Sequence, residues 1–337
     1  MKKIFVVITT LILCVACALG ISACKRGDSG KSYNVYVPDG APALSVAGIG
    51  AASLSTKFDV KVVKSDTITS YVGGNNPRAD FAVLPVNAAV KLLGNGEKYK
   101  LLGTVTHGNL FLMKKQGGED IADREDLAKL TGKTVGVINL ANVPGLTFKV
   151  ILSDNGIPYN ELKDGAEVAT DKVNLKSVTA QEATPANADC DYFVVPEPAA
   201  STKQAATQGK LSFAGNLQTL YGGENGYPQA VAVARAEIAS SNKTATDEFI
   251  ASFASTREWL LSEDTSAESI ANAVKSMTEG DMAPTFTAAN LNKEVISNCR
   301  IRFTDNKVGK IDIQQFIIKL NAVSANAWGE PEEKFFY

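Results

Sequence analysis

The sequence predicts an α/β fold built as two lobes, and three observations lead there. Strands and helices alternate along the chain in two separate series, as mostly parallel sheets require. Without its leader the chain keeps 314 residues, more than one core usually covers. Two glycine-containing stretches, near residues 106–110 and 222–229, fall where a chain that leaves one lobe would cross to the other and return.

The leader sets where these lobes work. Lys2 and Lys3 precede an apolar run from Ile4 to Leu19, and Ile21-Ser22-Ala23 places small residues before Cys24. This order is that of a secretory signal, residues 1–23, and the run is broken by Thr9, Thr10 and Gly20, short of the roughly 20 apolar residues a span needs. Residues 24–31 then read as Cys24 followed by a polar, flexible tether.

Tyr33 to Val37 alternates valine with tyrosine as a strand, stops at Pro38-Asp39-Gly40, and leads into an alanine-rich helix from Leu44 to Leu54. Phe58 to Lys64 is a second strand, and Ser65 to Tyr71 a short helix ended by Gly73-Gly74. Ala79 to Leu84 is a short apolar run, with Pro85 opening a helix to Leu93 that ends at Gly94. Leu101 to Thr106 and Leu110 to Lys114 are extended around His107-Gly108-Asn109, the first crossing. After a charged helix at 123–130, the strand Gly132 to Ile138 and the helix Leu146 to Asn155 begin a second series. Val173 to Val178 and Asp191 to Val195 are further strands, the latter feeding a helix from Ala199 to Gln208. Gly215 to Tyr227 is loop-rich, Gln229 to Ala234 a strand, and the remainder helical over 245–261, 266–277 and 308–320. In the last helix Ile313, Phe316, Ile317 and Leu320 share one face. That tail packs back on the first lobe, so lobe 1 comprises 32–106 with 229–337 and lobe 2 comprises 110–221.

Composition narrows the function. The processed chain carries a formal charge of −4, and nothing in it points to nucleic acid. His107 is the only histidine, the single CxxC spacing, Cys14 to Cys17, lies within the leader, and no HxxxH or GxSxG spacing occurs, so neither a metal, a cofactor nor a nucleophile–base pair is expected. Cys190 and Cys299 remain after Cys14 and Cys17 leave with the leader and Cys24 is set aside; a disulfide and two buried thiols both stand as readings of that pair.

Four stretches carry a resemblance: the leader ending at Cys24, "ADFAVLPVNAAVKLL" (Ala79 to Leu93), "LTGKTVGVINLANVPG" (Leu130 to Gly145) with its helix "LTFKVILSDNGI" (Leu146 to Ile157), and "YFVVPEPAAS" (Tyr192 to Ser201). In order and spacing the chain resembles the substrate-binding lipoproteins of ABC importers, in the family that includes nitrate, sulfonate, taurine and thiamine-precursor binders, over residues 32–320. The resemblance implies a periplasmic-binding-protein-like type II architecture, lipid on Cys24, anchoring at the outer face of the bacterial cytoplasmic membrane, and a monomer that docks on a permease with a cytosolic ATPase. It implies no enzymatic activity. An adhesin or signalling module remains a competing class that would need no closable cleft.

In such a fold the loops leaving the C-terminal strand ends face a crevice. Four turns occupy that place: Pro38 to Pro42, Leu84 to Asn87, Asn139 to Gly145, and Val195 to Pro198. They nominate Asp39, Gly40, Pro85, Asn87, Asn139, Asn142 and Glu197 as ligand contacts, with His107, Tyr221 and Tyr227 from the crossings. Asp39 and Glu197 sit at helix starts, where a carboxylate also serves as a plain cap, and the asparagines suit caps or turns equally. The turns hold no basic residue and two acids, which favours a neutral or cationic nitrogen heterocycle of the aminopyrimidine kind over a sulfonate, taurine or nitrate; Lys149 or Arg78 reaching the cleft from outside the turns would reverse that preference.

Overall fold

The computed structural model describes residues 32–51, 57–163, 165–222, 225–324 and 328–337. Cys24, the leader and the tether lie outside the described residues.

The first sheet takes its strands from both ends of the chain: β1 (Tyr33–Pro38), β2 (Phe58–Val63), β3 (Phe81–Pro85), β4 (Tyr99–Thr106), β11 (Ala230–Arg235) and β12 (Ile301–Asp305), in the order β12-β4-β11-β3-β1-β2. β1 pairs in parallel with β2 and β3, and β11 runs antiparallel between β3 and β4. The second sheet is contiguous in sequence: β5 (Leu110–Lys115), β6 (Thr134–Ile138), β7 (Tyr159–Glu161), β8 (Val173–Val178), β9 (Tyr192–Pro196) and β10 (Leu211–Asn216), in the order β10-β5-β9-β6-β8-β7. Here β5 is the antiparallel strand, pairing with β9 on one side and β10 on the other. The chain thus leaves one sheet after Thr106 and enters the other at Leu110, with Leu110 beside Pro196 at the C-terminal end of β9. This is the two-lobed α/β architecture of type II periplasmic-binding proteins.

Helices cover the sheet faces. Those of the first sheet are α1 (Ala41–Leu44), α2 (Ala47–Gly50), α3 (Thr69–Val72) and α4 (Val86–Leu93). The second sheet carries α5 (Val143–Asp154), α6 (Ala199–Ala206) and α7 (Leu217–Gly222). After the return come α8 (Ala236–Ser241), α9 (Lys243–Leu261), α10 (Ala267–Met277), α11 (Lys293–Asn298) and α12 (Asn306–Val323). α12 places Ile313, Phe316, Ile317 and Leu320 fully inside, as their spacing predicts, but they do not face the first sheet alone. They join a core that runs continuously from one face of the first sheet through α4, α12, α5 and α7 to the second sheet. α5 accordingly has no solvent face over its middle, with Leu146 to Leu152 all buried.

Some local expectations change. The alanine-rich helix over 44–54 is two separate turns, α1 and α2, with residues 52–56 outside the described set. The charged helix at 123–130 is a 3-10 segment, Glu125–Leu130. The loop-rich stretch 215–227 contains the end of β10 and all of α7. β7 and β12 are short, charged edge strands whose formation depends on a neighbour's exposed backbone groups rather than on their own apolar pattern. Cys190 and Cys299 are free, buried thiols that lie in different cores, Cys190 on the second sheet and Cys299 on the first.

Candidate functional site

The C-terminal strand ends of the two sheets define the cleft, and the nominated residues sort into three groups there. Asp39 and Glu197 are occupied by protein donors. The Asp39 carboxylate accepts the Thr285 backbone N–H at 3.1 and 3.0 Å and also its hydroxyl. Glu197, 2% exposed, accepts the Ser201 N–H at 3.1 Å and hydroxyl at 2.7 Å within its own lobe, and the Asn298 side-chain amide at 2.8 Å from the other. The peptide bond from Glu197 to Pro198 is cis. Thr285 and Asn298 come from one stretch, 278–299, which contains α11. Beside it a cavity of about 370 Å³ opens between Ser201, Gln204 and Phe213 of one lobe and Asn292 and Glu294 of the other.

The second group keeps uncommitted polar groups. Gly40, at φ 101°, leads β1 into α1 and faces open space. Pro85 begins α4 with its rigid φ of −53°, and Val86 donates to the Gln229 carbonyl at 3.0 Å. Asn87 follows, 4% exposed, with its Oδ1 lacking a protein partner. Asn139 adopts φ 60°, and its carbonyl accepts the Asn142 N–H at 3.0 Å, which turns β6 into α5. Asn142 is the residue before α5 yet does not cap it through its side chain. Asn139 and Asn142 are both exposed.

The third group builds the crossings. Gly108, at φ 93°, presses on the other crossing so closely that a Cβ would lie 2.6 Å from the Tyr227 ring and 2.7 Å from Gln218. Tyr227 stacks on Phe316 at 5.5 Å, and Tyr221 meets both rings edge-on, with the Lys319 ammonium 5.1 Å above it. Burial pushes both phenols well above their ordinary range. His107 is buried against the Thr304 hydroxyl at 3.1 Å. Its pKa falls from 6.5 to about 3, first through loss of solvation and then through the charge of Arg302, so the ring is neutral at pH 7.

Sequence reasoning missed the amides that link these groups. Asn109 donates to the Glu197 carbonyl at 3.1 Å, which orients its amide, and its Oδ1 then accepts Gln229 Nε2 at 2.9 Å. That order leaves Gln229 Oε1 without a protein partner. Gln218 spends its Oε1 on the Leu110 N–H at 2.9 Å, which leaves Nε2 unpartnered, and the Thr106 hydroxyl is buried and unpartnered as well. Asn109 and Gln229 stand inside the crossings the sequence marks, as polar residues between apolar strands, so that signal was present. Thr285 and Asn298 offered none. The basic residues held in reserve are also committed: Lys149 pairs with Glu161 at 2.6 Å, and Arg78 stacks on Tyr71 at 4.1 Å.

Among the described residues no helix is long and apolar enough to cross a membrane, and no group of three or more metal-ligating side chains is present. No protein-family model and no curated protein matches the chain. Solved structures do. An ABC transporter structure from Parabacteroides distasonis is 19% identical, with a TM-score of 0.68 over 91% of this chain and 99% of its own. The alkanesulfonate-binding protein SsuA from Xanthomonas axonopodis pv. citri, bound to MOPS, is 12% identical, with a TM-score of 0.52 over 87% of this chain and 93% of its own. A Candida albicans gene product with the generic periplasmic binding protein fold is 13% identical, with a TM-score of 0.51 over 91% of this chain and 94% of its own. At these identities the similarity is one of fold, and the fold is that of the periplasmic binding proteins.

Proposed function

We propose that the chain is a solute-binding protein that delivers a small organic molecule to an ABC importer, binding it without turnover. The observation that carries this is the set of buried polar atoms without protein partners where the two lobes meet: Asn87 Oδ1, Thr106 Oγ1, Gln218 Nε2 and Gln229 Oε1. Each such atom costs about 1–3 kcal/mol if nothing pairs with it. Val86, next to Asn87, donates to the Gln229 carbonyl, the Gln229 N–H donates to the Thr106 carbonyl, and Gln218 accepts from Leu110 at the end of the same crossing. Two amide oxygens and one amide N–H suit a neutral ligand with its own N–H groups and a ring nitrogen, an aminopyrimidine or related heterocycle. Asp39 and Glu197 do not set this preference, because their carboxylates are taken up by Thr285, Ser201 and Asn298. A sulfonate is the second reading, supported by the fold neighbour that binds MOPS.

In this role residues 32–106 with 229–337 move against 110–221 about the crossings, lipid on Cys24 holds the protein at the outer face of the cytoplasmic membrane, and a permease with its ATPase receives the solute. A thermal-shift panel of aminopyrimidines, thiamine, taurine, alkanesulfonates and nitrate tests the ligand class. At a hundredfold excess over its dissociation constant the true ligand adds about 2.7 kcal/mol of stability. The heterocycles should raise the midpoint and make the protein more compact by small-angle scattering, and Asn87→Ala should remove both responses. A shift with sulfonates alone would transfer the assignment to the second reading.

A further inference from the structure

Away from the cleft, a cavity of about 230 Å³ lies on the first lobe between the last turns of α9 and α11 and the start of β12. Its polar lining is Arg257, Ser297, Arg300 and Arg302, and its apolar wall is built from Leu260, Leu261 and Ile296. Arg300, in the turn after α11, directly precedes β12, which carries Arg302. Arg300 reaches that segment through a left-handed backbone, φ 45°, an unusual conformation for a residue with a side chain.

Two of the guanidinium groups, those of Arg257 and Arg302, are spent sparingly. Arg302 donates one N–H to the Asn225 carbonyl at 3.3 Å, and its Nε is buried with no protein partner. Among the described residues neither Arg257 nor Arg302 forms an ion pair. The carbonyls that arginines commonly cap at a helix C-terminus are here served by Lys293, which donates to Leu260 and Ser262 at the end of α9. Capping therefore does not account for the arginines. Burial and then the Arg257 charge lower the Arg302 pKa, opposed by Asp312, which shows that the two cations act on each other. Like charges gathered at a partly dry cavity repel unless an anion sits between them, and the planar fork of arginine matches a tetrahedral oxyanion.

We propose that this cavity is a phosphate-binding site, separate from the solute cleft, in which Arg257 and Arg302 hold the phosphate and the leucines with Ile296 contact an apolar substituent on it. The phosphate can arrive on a free phosphomonoester or on a lipid headgroup. Calorimetry on the full chain with inorganic phosphate and octyl phosphate, alongside flotation with phosphatidic acid or phosphatidylcholine vesicles, separates these sources. Octyl phosphate should bind more tightly than inorganic phosphate, and high salt should weaken both. Arg257→Gln and Arg302→Gln should each raise the dissociation constant about tenfold or more. Arg257 is on the exposed face of α9, so its substitution leaves the fold intact and is the decisive variant. Flotation with phosphatidic acid that Arg257→Gln abolishes, without binding of the soluble phosphates, would assign the site to lipid. Absence of binding to every probe, or equal binding by Arg257→Gln, would overturn the proposal.

Discussion

His107 shows how a residue that looks chemical in a sequence becomes structural in a fold. Its ring is enclosed between the crossings and β12, so protonation would put a charge into a dry site that Arg302 and Arg300 already make positive. The consequence for stability follows from linkage. The unfolded chain takes up a proton near pH 6.5, whereas the folded one resists until about pH 3, so His107 contributes fully above pH 6.5 and its contribution is lost as pH falls through that window. Urea unfolding should lose about 1.7 kcal/mol in total on this account between pH 6.5 and 5, with the slope steepening towards about 1.4 kcal/mol per pH unit, before most carboxylates titrate. Because the chain has one histidine, a His107→Gln variant isolates the effect, and an unchanged slope in that variant would refute it.

At the level of elements, α12 has the largest structural reach. The spacing of Ile313, Phe316, Ile317 and Leu320 announces an amphipathic helix, but periodicity is silent about the partner. The partner is α5 as well as the first sheet, with Lys319 paired to Asp154 at 2.6 Å and Phe316 in a three-ring cluster with Tyr221 and Tyr227. Phe316→Ala removes a ring that is fully buried among aromatic neighbours, and should lower the unfolding free energy by about 3–5 kcal/mol. A loss below about 1 kcal/mol in denaturant titration would mean that α12 does not hold the two sheets together. β12 presents the opposite case: Ile301–Asp305 carries too little apolar pattern to be read as a strand, and exists because β4 would otherwise present an open edge.

For the whole molecule, the stretch 278–299 connects the two lobes at a place the sequence leaves blank. Thr285 reaches Asp39 and Asn298 reaches Glu197, so two carboxylates that looked available to a ligand help set the geometry around it. The proposed anchor belongs to the same scale. With lipid on Cys24 as proposed, the wild-type chain should partition into detergent and Cys24→Ala into the aqueous phase. Retention of Cys24→Ala in the detergent phase would exclude that anchor.

The sequence by itself determined the α/β class, most strands, the α12 face and the four strand-to-helix turns, because apolar periodicity and Gly/Pro punctuation are local signals. It placed Asn87, Asn139 and Asn142 at those turns, and it missed Asn109 and Gln229, although both fall inside the stretches it marked as crossings. Which of these would keep a free hydrogen-bonding group was decided only in three dimensions. Asp39 and Thr285 are 246 positions apart and Glu197 and Asn298 are 101 apart, and no local pattern couples residues at such distances. Whether a carboxylate meets a ligand or a neighbouring amide depends on which donor the tertiary fold brings within about 3 Å of it, and that is a property of packing, not of the chain's local pattern.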